Sequence, residues 1–438
     1  MRTRVGYRWL LCLVWISTVP LVGVAEEYVT LPEDPYFEGF QPLKAPESVG
    51  MLLRVGDRLA ICGDSITEQK MYSRIMETYL TVCAPQLGVS VRQHGWSGER
   101  APGLLGRMDH DVLRFGPTIA TTCYAMNDHA YQPYQEELGA TYRDASAQII
   151  EKFKSAGIRV IQGAAGPVGK MPSWVREARG TVKDLNLSLC RFRNIDIELA
   201  QAAGVGFADV FLPMLVKGHA AQREFGEEYM ISGKDGVHPG WAGHLLMAHS
   251  FLKAMGLNGE IGRIVVDLGQ PAAFASEGHT VLSVADGAVE LESTRYPFCA
   301  TGALDADDSI RSGMALIGFN DDLNRLILVV KNAPADRMRV TWGEAGRVYT
   351  SEELAAGVNL ADDFEVNPFS AAFGRVDEAI GRKQAYETRQ MKDLFHGAEG
   401  HADMERTVEL TERVRESLVK GVAEAFVPVR HTLRLTAE

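Results

Sequence analysis

Over residues 59–255 the chain repeats a single pattern: a short run of apolar, β-prone residues, then a longer stretch with apolar positions near a period of 3.6. The strand-like runs fall at 59–62, 89–93, 118–124, 159–163 and 206–210. Helical periodicity covers 71–83, 104–115, 134–156 and 185–203, and a last helix over 240–255 follows Pro239, with proline at a tolerated first-turn position. Strands alternating with helices require right-handed crossovers, which give a parallel sheet covered on both faces. The expectation is an α/β fold, a three-layer α/β/α sandwich around a five-stranded parallel sheet. Ligands in such folds bind at the carboxyl ends of the strands.

Those ends hold the unusual residues of the chain. Gly63, Asp64 and Ser65 follow the first strand, His94 to Arg100 the second, and Ala125 to His129 the third. The fourth runs into residues 164–169, whose glycines suggest a mobile rim. A Gly-Asp-Ser turn before a helix is common in itself, and Ser65 or Thr67 serves equally well as a helix cap. Just before the last helix, Asp235 and His238 stand three apart on a loop. Alone they are a loop cap and a surface histidine. Set beside Ser65 they have the division of labour of a triad, in which the carboxylate holds one imidazole nitrogen while the other takes the serine proton. Asn127 and Asp128 alone would be an ordinary turn after a strand.

The rest of the chain bounds the context. Arg2, Arg4 and Arg8 precede an apolar run over 9–24 that closes on small residues, which reads as a signal peptide spanning 1–25 and cleaved after Ala25. The shortness of the run and Pro20 within it weigh against a retained membrane anchor. Loss of the three arginines takes the formal charge from -12 to -15, which disfavours nucleic acid as a partner. Cys12 leaves with the signal, and the five remaining cysteines are an odd number, so at least one thiol stays unpaired. Cys62 and Cys123 sit in strand-like runs and read as small buried hydrophobes. No Cys or His spacing asks for a metal, and no cofactor is expected. Residues 26–50 read as an extended lead-in, so the first domain spans 26–258. Residues 259–345 alternate apolar and polar residues in short runs and read as a small antiparallel β unit. Residues 346–438 hold two long helical segments, 370–395 and 402–425, joined by 397–401, and then an alternating run over 427–435. These predict a helical hairpin inserted before a strand that returns to the β unit.

The separated blocks resemble the SGNH, or GDSL-like, hydrolase family, over about residues 55–258. Gly63, Asp64 and Ser65 match the first block, Gly98 the second, Asn127 and Asp128 the third, and Asp235 with His238 the last. The resemblance implies a flavodoxin-like fold and a serine esterase. It makes Ser65 the nucleophile, His238 the general base and Asp235 its orienting carboxylate. The Ser65 and Gly98 amides and the Asn127 side chain would form an oxyanion hole, where each lost donor costs about 3–4 kcal/mol. The third block departs from the family at Ala125, where glycine is usual. Alanine there fits if its φ is negative. Ser97 lies in a stretch lacking the final glycine of a G-x-S-x-G elbow, which disfavours an ordinary α/β-hydrolase.

Trp96, Arg100 and His129 lie close to the blocks and are the candidates for lining a substrate site, with Tyr131 and Trp241 near them. Trp96 either stacks on a sugar ring or packs, and Arg100 meets either an anionic substrate or a structural carboxylate. The resulting expectation is an exported, periplasmic or extracellular esterase acting on a small ester or an O-acetylated glycan. No nucleic acid and no stable membrane insertion after signal removal are expected. Lipase-like or acyltransferase chemistry at the same site is the alternative among enzymes. A non-catalytic glycan-binding protein is the alternative outside them.

Overall fold

Strand β1 (Arg58–Gly63) is buried from its second residue onward, and β3 (Ile119–Cys123) is buried throughout, as central strands with helices on both faces must be. With β2 (Ser90–Gly95), β4 (Arg159–Gly163) and β5 (Gly206–Ala208) they make an all-parallel sheet in the order β2-β1-β3-β4-β5. This is a computed structural model describing residues 27–47 and 50–438; the signal peptide expected over 1–25 lies outside the described residues. The helices of this region are α1 (Ser65–Glu68), α2 (Tyr72–Val82), α3 (Ala101–Asp111), α4 (Glu136–Ser155), α5 (Val182–Ala203), α6 (Phe211–Phe225) and α7 (Trp241–Ala254). Helix α2 packs on α7, and α4 packs between α3 and α5, giving the expected three-layer sandwich. The chain reverses direction across the sheet between β2 and β3, and Ser65 stands beside that switch point.

Local chemistry explains where the expected boundaries move. Helix α5 begins three residues earlier than its apolar period because Thr181 and Asp184 form a reciprocal capping box. Gly240 is the N-cap of α7, so Pro239 precedes the helix rather than lying in its first turn. Helix α6 follows β5 within two residues and was not expected; Pro213 sits in its first turn, where a missing N–H costs nothing. The stretch 164–169 is no mobile rim. Residues 164–168 are buried, Asn186 clamps Val168 by accepting its amide at 2.7 Å and donating to its carbonyl at 2.8 Å, and the Gly169 amide donates to Gly236. Cys62, Cys83, Cys123 and Cys190 are buried free thiols and Cys299 is partly buried. The lead-in lies on the domain surface and sinks Phe37, Phe40 and Leu43 into it.

Beyond α7 come β6 (Glu260–Asp267), β7 (Ala272–Ala275), β8 (His279–Ala285), β9 (Ala288–Ser293), α8 (Ile310–Ile317), α9 (Phe319–Leu323), β10 (Arg325–Lys331), β11 (Arg337–Trp342), β12 (Ala345–Thr350), α10 (Ser351–Ala356), β13 (Val358–Asn359) and α11 (Leu360–Asp363). They form two sheets. One is mixed, in the order β13-β10-β6-β7, with β6 and β10 parallel. The other is antiparallel, and the last strand, β14 (Val429–Ala437), is its centre, in the order β12-β11-β14-β9-β8. Alternation along a strand reports which face is buried and not the direction of its neighbour, so the parallel pair was not visible in the sequence.

Before β14 the chain runs out and back through α12 (Ser370–Arg389), a π-helical turn (Gln390–Phe395), α13 (Ala398–Ala402) and α14 (Met404–Ala425). This hairpin covers the edge strand β2. An uncovered edge exposes backbone groups that recruit other strands. Here the Val91 carbonyl accepts from Lys383 Nζ at 2.8 Å and Arg415 Nη2 at 3.0 Å, while the Gln93 amide donates to Glu387 Oε2 at 3.1 Å. Buried Glu387 also pairs with Lys383 and Arg415, and these cations hold its carboxyl below the usual range against the opposing pull of burial. Among the described residues no helix is long and apolar enough to cross a membrane.

Candidate active site

Ser65 is the first residue of α1, directly after the Asp64 that ends the turn from β1. The cap is Asp64: its Oδ1 accepts the Ile66 amide at 2.9 Å. Thr67 instead pairs with Tyr72 Oη at 2.7 Å. The Ser65 hydroxyl is therefore free of the capping duty that the sequence left open. It lies 2.7 Å from His238 Nε2. On the other side of the ring, His238 Nδ1 is 2.7 Å from Asp235 Oδ2. Asp235 Oδ1 accepts the amides of Val237 at 2.9 Å and His238 at 2.8 Å, so one carboxylate fixes both the loop and the imidazole. Burial works to raise the Asp235 pKa, but these donors outweigh it and hold the carboxyl below its ordinary value. Gly233 makes the loop possible: its φ is +81°, and an added Cβ would meet the His238 carbonyl oxygen at 1.7 Å.

Asn127 follows β3 and faces the same turn. Its Nδ2 donates to the Glu99 carbonyl at 3.0 Å and stands 3.4 Å from Asp64 Oδ2, while Tyr131 Oη donates to its Oδ1 at 3.3 Å. The Glu99 carbonyl and the Tyr131 hydroxyl fix which end of the amide points where. Burial raises the Tyr131 pKa, so its hydroxyl keeps the proton it donates. Gly98 lies at φ +73° on the exposed tip of the loop between β2 and α3, with nothing near its Cβ position. That loop is anchored from three sides. Arg107 grips Glu99 with two bonds of 2.6 and 2.7 Å, Tyr124 Oη donates to Glu99 at 2.7 Å, and Asp128 Oδ1 accepts the Ala101 amide at 2.9 Å. Burial pushes the Asp128 carboxyl up to about 6, and burial with the nearby Asp128 and Glu99 pushes Asp64 up to about 7.

Two expectations are corrected here. Ala125 has φ +88°, not a negative value. It is held there from both ends, because Asp128 Oδ2 accepts its amide at 3.1 Å and its carbonyl accepts the His129 amide at 3.1 Å. The strain costs on the order of 1 kcal/mol, less than the bonds that impose it. His129 does not line the site. Its side chain is fully buried, with Nδ1 3.3 Å from the Ala125 carbonyl, and burial lowers its pKa to about 4. The other two candidates differ: Arg100 is exposed at the N-cap of α3, and Trp96 is half-buried, edge-on to His396 at 4.8 Å.

Nothing in the sequence points to Trp174. It stands in a loop without periodicity, yet its ring is 5.8 Å from that of His238 and 5.9 Å from that of Tyr131. With 45% of its surface exposed, it forms an aromatic wall beside the imidazole. Glu68 was also missed: it accepts the Ser97 amide and so ties α1 to the Gly98 loop. Chemically the arrangement joins a hydroxyl to an oriented base, with amide donors and an open, aromatic-walled approach.

Residues 61–246 match the model of the GDSL-like lipase/acylhydrolase family. Among solved structures, a gut microbial diltiazem-metabolizing enzyme is 19% identical, with a TM-score of 0.71, over 90% of this chain and 100% of its own. This shows that the fold recurs over nine-tenths of the chain, well beyond the α/β region. An acetylxylan esterase from Geobacillus stearothermophilus is 19% identical with a TM-score of 0.39, over 47% of this chain and 97% of its own. An α/β hydrolase enzyme from the metagenome of Lake Arreo is 19% identical with a TM-score of 0.38, over 47% and 98%. A search of curated proteins found no match.

Proposed function

Residues 61–246 being a domain of the GDSL-like lipase/acylhydrolase family, an esterase-type hydrolase, we propose that the chain is an exported serine esterase that removes O-acyl groups, acetyl foremost, from a carbohydrate. The observation that carries the reading is the unbroken chain of hydrogen bonds from Ser65 through His238 to Asp235. It supports catalysis over glycan binding alone, since a binding cleft has no use for an oriented base.

In this reading Ser65 Oγ attacks the ester carbonyl as its proton passes to His238 Nε2, and Asp235 steadies the imidazolium. The carbonyl oxygen becomes an oxyanion between the Ser65 amide, the Gly98 amide and Asn127 Nδ2. The Ser65 amide is at the start of a helix, where an N–H has no intrahelical acceptor. One Asn127 hydrogen is held by the Glu99 carbonyl; the other, facing Asp64 across a long 3.4 Å contact, is the one an oxyanion claims. His238 then gives its proton to the leaving alkoxide, which departs as the sugar hydroxyl. Water, deprotonated by His238, attacks the acyl-Ser65 carbonyl, and the returning proton restores Ser65 as the carboxylic acid leaves.

The carbohydrate assignment is supported by Trp174 beside His238, with Tyr131 against Trp174, because an exposed aromatic face suits the apolar face of a sugar ring. Export is supported by the arginine-led apolar segment at the start of the sequence. The test is acetate release from acetylated xylan and from p-nitrophenyl acetate by the native protein and by Ser65→Ala. The proposal expects release by the native protein only. Equal release by both refutes the nucleophile, and cleavage of the small ester with none of the polymer refutes the carbohydrate.

A further inference from the structure

The π-helical turn Gln390–Phe395 lies far outside the region of the family match, yet it is pressed against the loop that carries Gly98. Lys392 Nζ is 2.9 Å from both Oε1 and Oε2 of Glu68, and 5.4 Å from the centre of the Trp96 ring. His396 meets the same ring edge-on at 4.8 Å and is anchored to Asp111 at 2.8 Å. Met391 Sδ accepts from Arg107 Nη1 at 3.0 Å, and Arg107 is the residue that grips Glu99. Isolated π-turns widen a helix locally and are frequent at functional sites. Here the turn and the residue after it set Lys392 and His396 against the Trp96 ring, and Met391 against Arg107.

Glu68 is the hinge of the arrangement. It ends α1, the helix that Ser65 begins, and its Oε2 accepts the amide of Ser97, the residue before Gly98. This one carboxylate thus sets the spacing between the Ser65 and Gly98 amides. Its side chain retains only 18% of its exposure; Lys392 pairs with the carboxylate, while Lys70 Nζ donates to the Glu68 backbone carbonyl. A half-buried carboxylate that loses its cation is drawn toward water, and Ser97 would follow it or lose its acceptor.

We infer that Lys392, from the C-terminal hairpin, is a positioning residue of the esterase site, holding the Gly98 amide in place through Glu68 and Ser97. The inference rests on the reading of Ser65 as nucleophile. Its consequence is that the hairpin, besides covering β2, completes the oxyanion hole, and that the α/β domain alone is an impaired catalyst.

The test uses the full-length chain with Lys392→Met, Lys392→Arg, Glu68→Gln, the double variant Glu68→Gln/Lys392→Met, and Ser65→Ala. Arg382→Ala on the exposed face of α12 is the control. Displacing an oxyanion donor lowers kcat and leaves ground-state binding alone, so Lys392→Met should lose about 10–100-fold in kcat on p-nitrophenyl acetate with KM within about twofold. Lys392→Arg should recover most of the loss. In the Glu68→Gln background the neutral amide still accepts from Ser97 and needs no cation, so adding Lys392→Met should cost less than about threefold. Lys392→Met keeping kcat within twofold overturns the inference, and so does an equal cost in both backgrounds. Should Lys392→Met not fold, the double variant against Glu68→Gln alone decides: a kcat loss above about tenfold overturns it. Activity remaining in Ser65→Ala instead refutes the nucleophile, a result separate from either.

Discussion

Replacing Asp235 by Asn separates orientation from fold. The new side chain keeps an oxygen where Oδ1 accepts the Val237 and His238 amides, so the loop should hold its shape. At the Oδ2 position it presents an NH2 group to His238 Nδ1, now 2.7 Å from a carboxylate oxygen. Two donors cannot face each other, so the imidazole turns to the tautomer with its proton on Nε2. That nitrogen then donates to Ser65 Oγ instead of accepting its proton, and general-base catalysis is lost. The same change in a serine protease triad lowers kcat by about 10⁴, or about 5 kcal/mol in barrier, and a loss of that order is expected here at neutral pH. Stability should change by less than about 1 kcal/mol, since the number of bonds is kept. Steady-state hydrolysis of p-nitrophenyl acetate with a thermal melt on the same samples checks both halves. A kcat within tenfold of the native value at an unchanged Tm would refute the argument that Asp235 sets the tautomer.

Three further outcomes follow from the packing. Buried Asp196 accepts from Tyr142 and Gln162 on one oxygen and has no partner on the other, and burial pushes its carboxyl up to about 8. The folded chain holds this proton where the unfolded chain has released it, so the native protein should lose stability as pH rises from about 4 towards 8; in Asp196→Asn the share of this loss due to Asp196, about 1.4 kcal/mol per pH unit, should vanish, and parallel melting curves at pH 5, 6 and 7 would contradict this. Gly233→Ala forces a Cβ into the His238 carbonyl at positive φ, so Tm should drop and kcat fall at least tenfold; a native-like enzyme would show that the loop is not held as described. Ala125→Gly relieves backbone strain and should keep full activity with stability equal or up to about 1 kcal/mol higher, measured by urea unfolding.

What the sequence disclosed has a physical pattern. Strands β1 and β3 were readable because both faces are buried: β1 is an apolar run from Leu59 to Cys62, and β3 is a run of β-prone residues without a charge. Ser65, Asn127 and the Asp235–His238 pair were readable because a parallel sheet gathers its strand ends, so separate short blocks converge. Long-range contacts made outside those blocks were not readable. Trp174 has no local pattern, and Lys392 reaches Glu68 across more than three hundred residues. Ala125 was misjudged because its φ is imposed by Asp128 and His129 rather than by its own preference. His129 was misjudged because proximity in sequence says nothing about whether a ring turns outward or, as here, into the core.

In the proposed reaction Ser65 carries the acyl group. Mass spectrometry of the protein after a fluorophosphonate, which phosphonylates activated serines, tests it directly. A single adduct is expected on the peptide containing Ser65, formed slowly or not at all in His238→Ala. An adduct on another serine, or an active esterase that takes no label at Ser65, would contradict it.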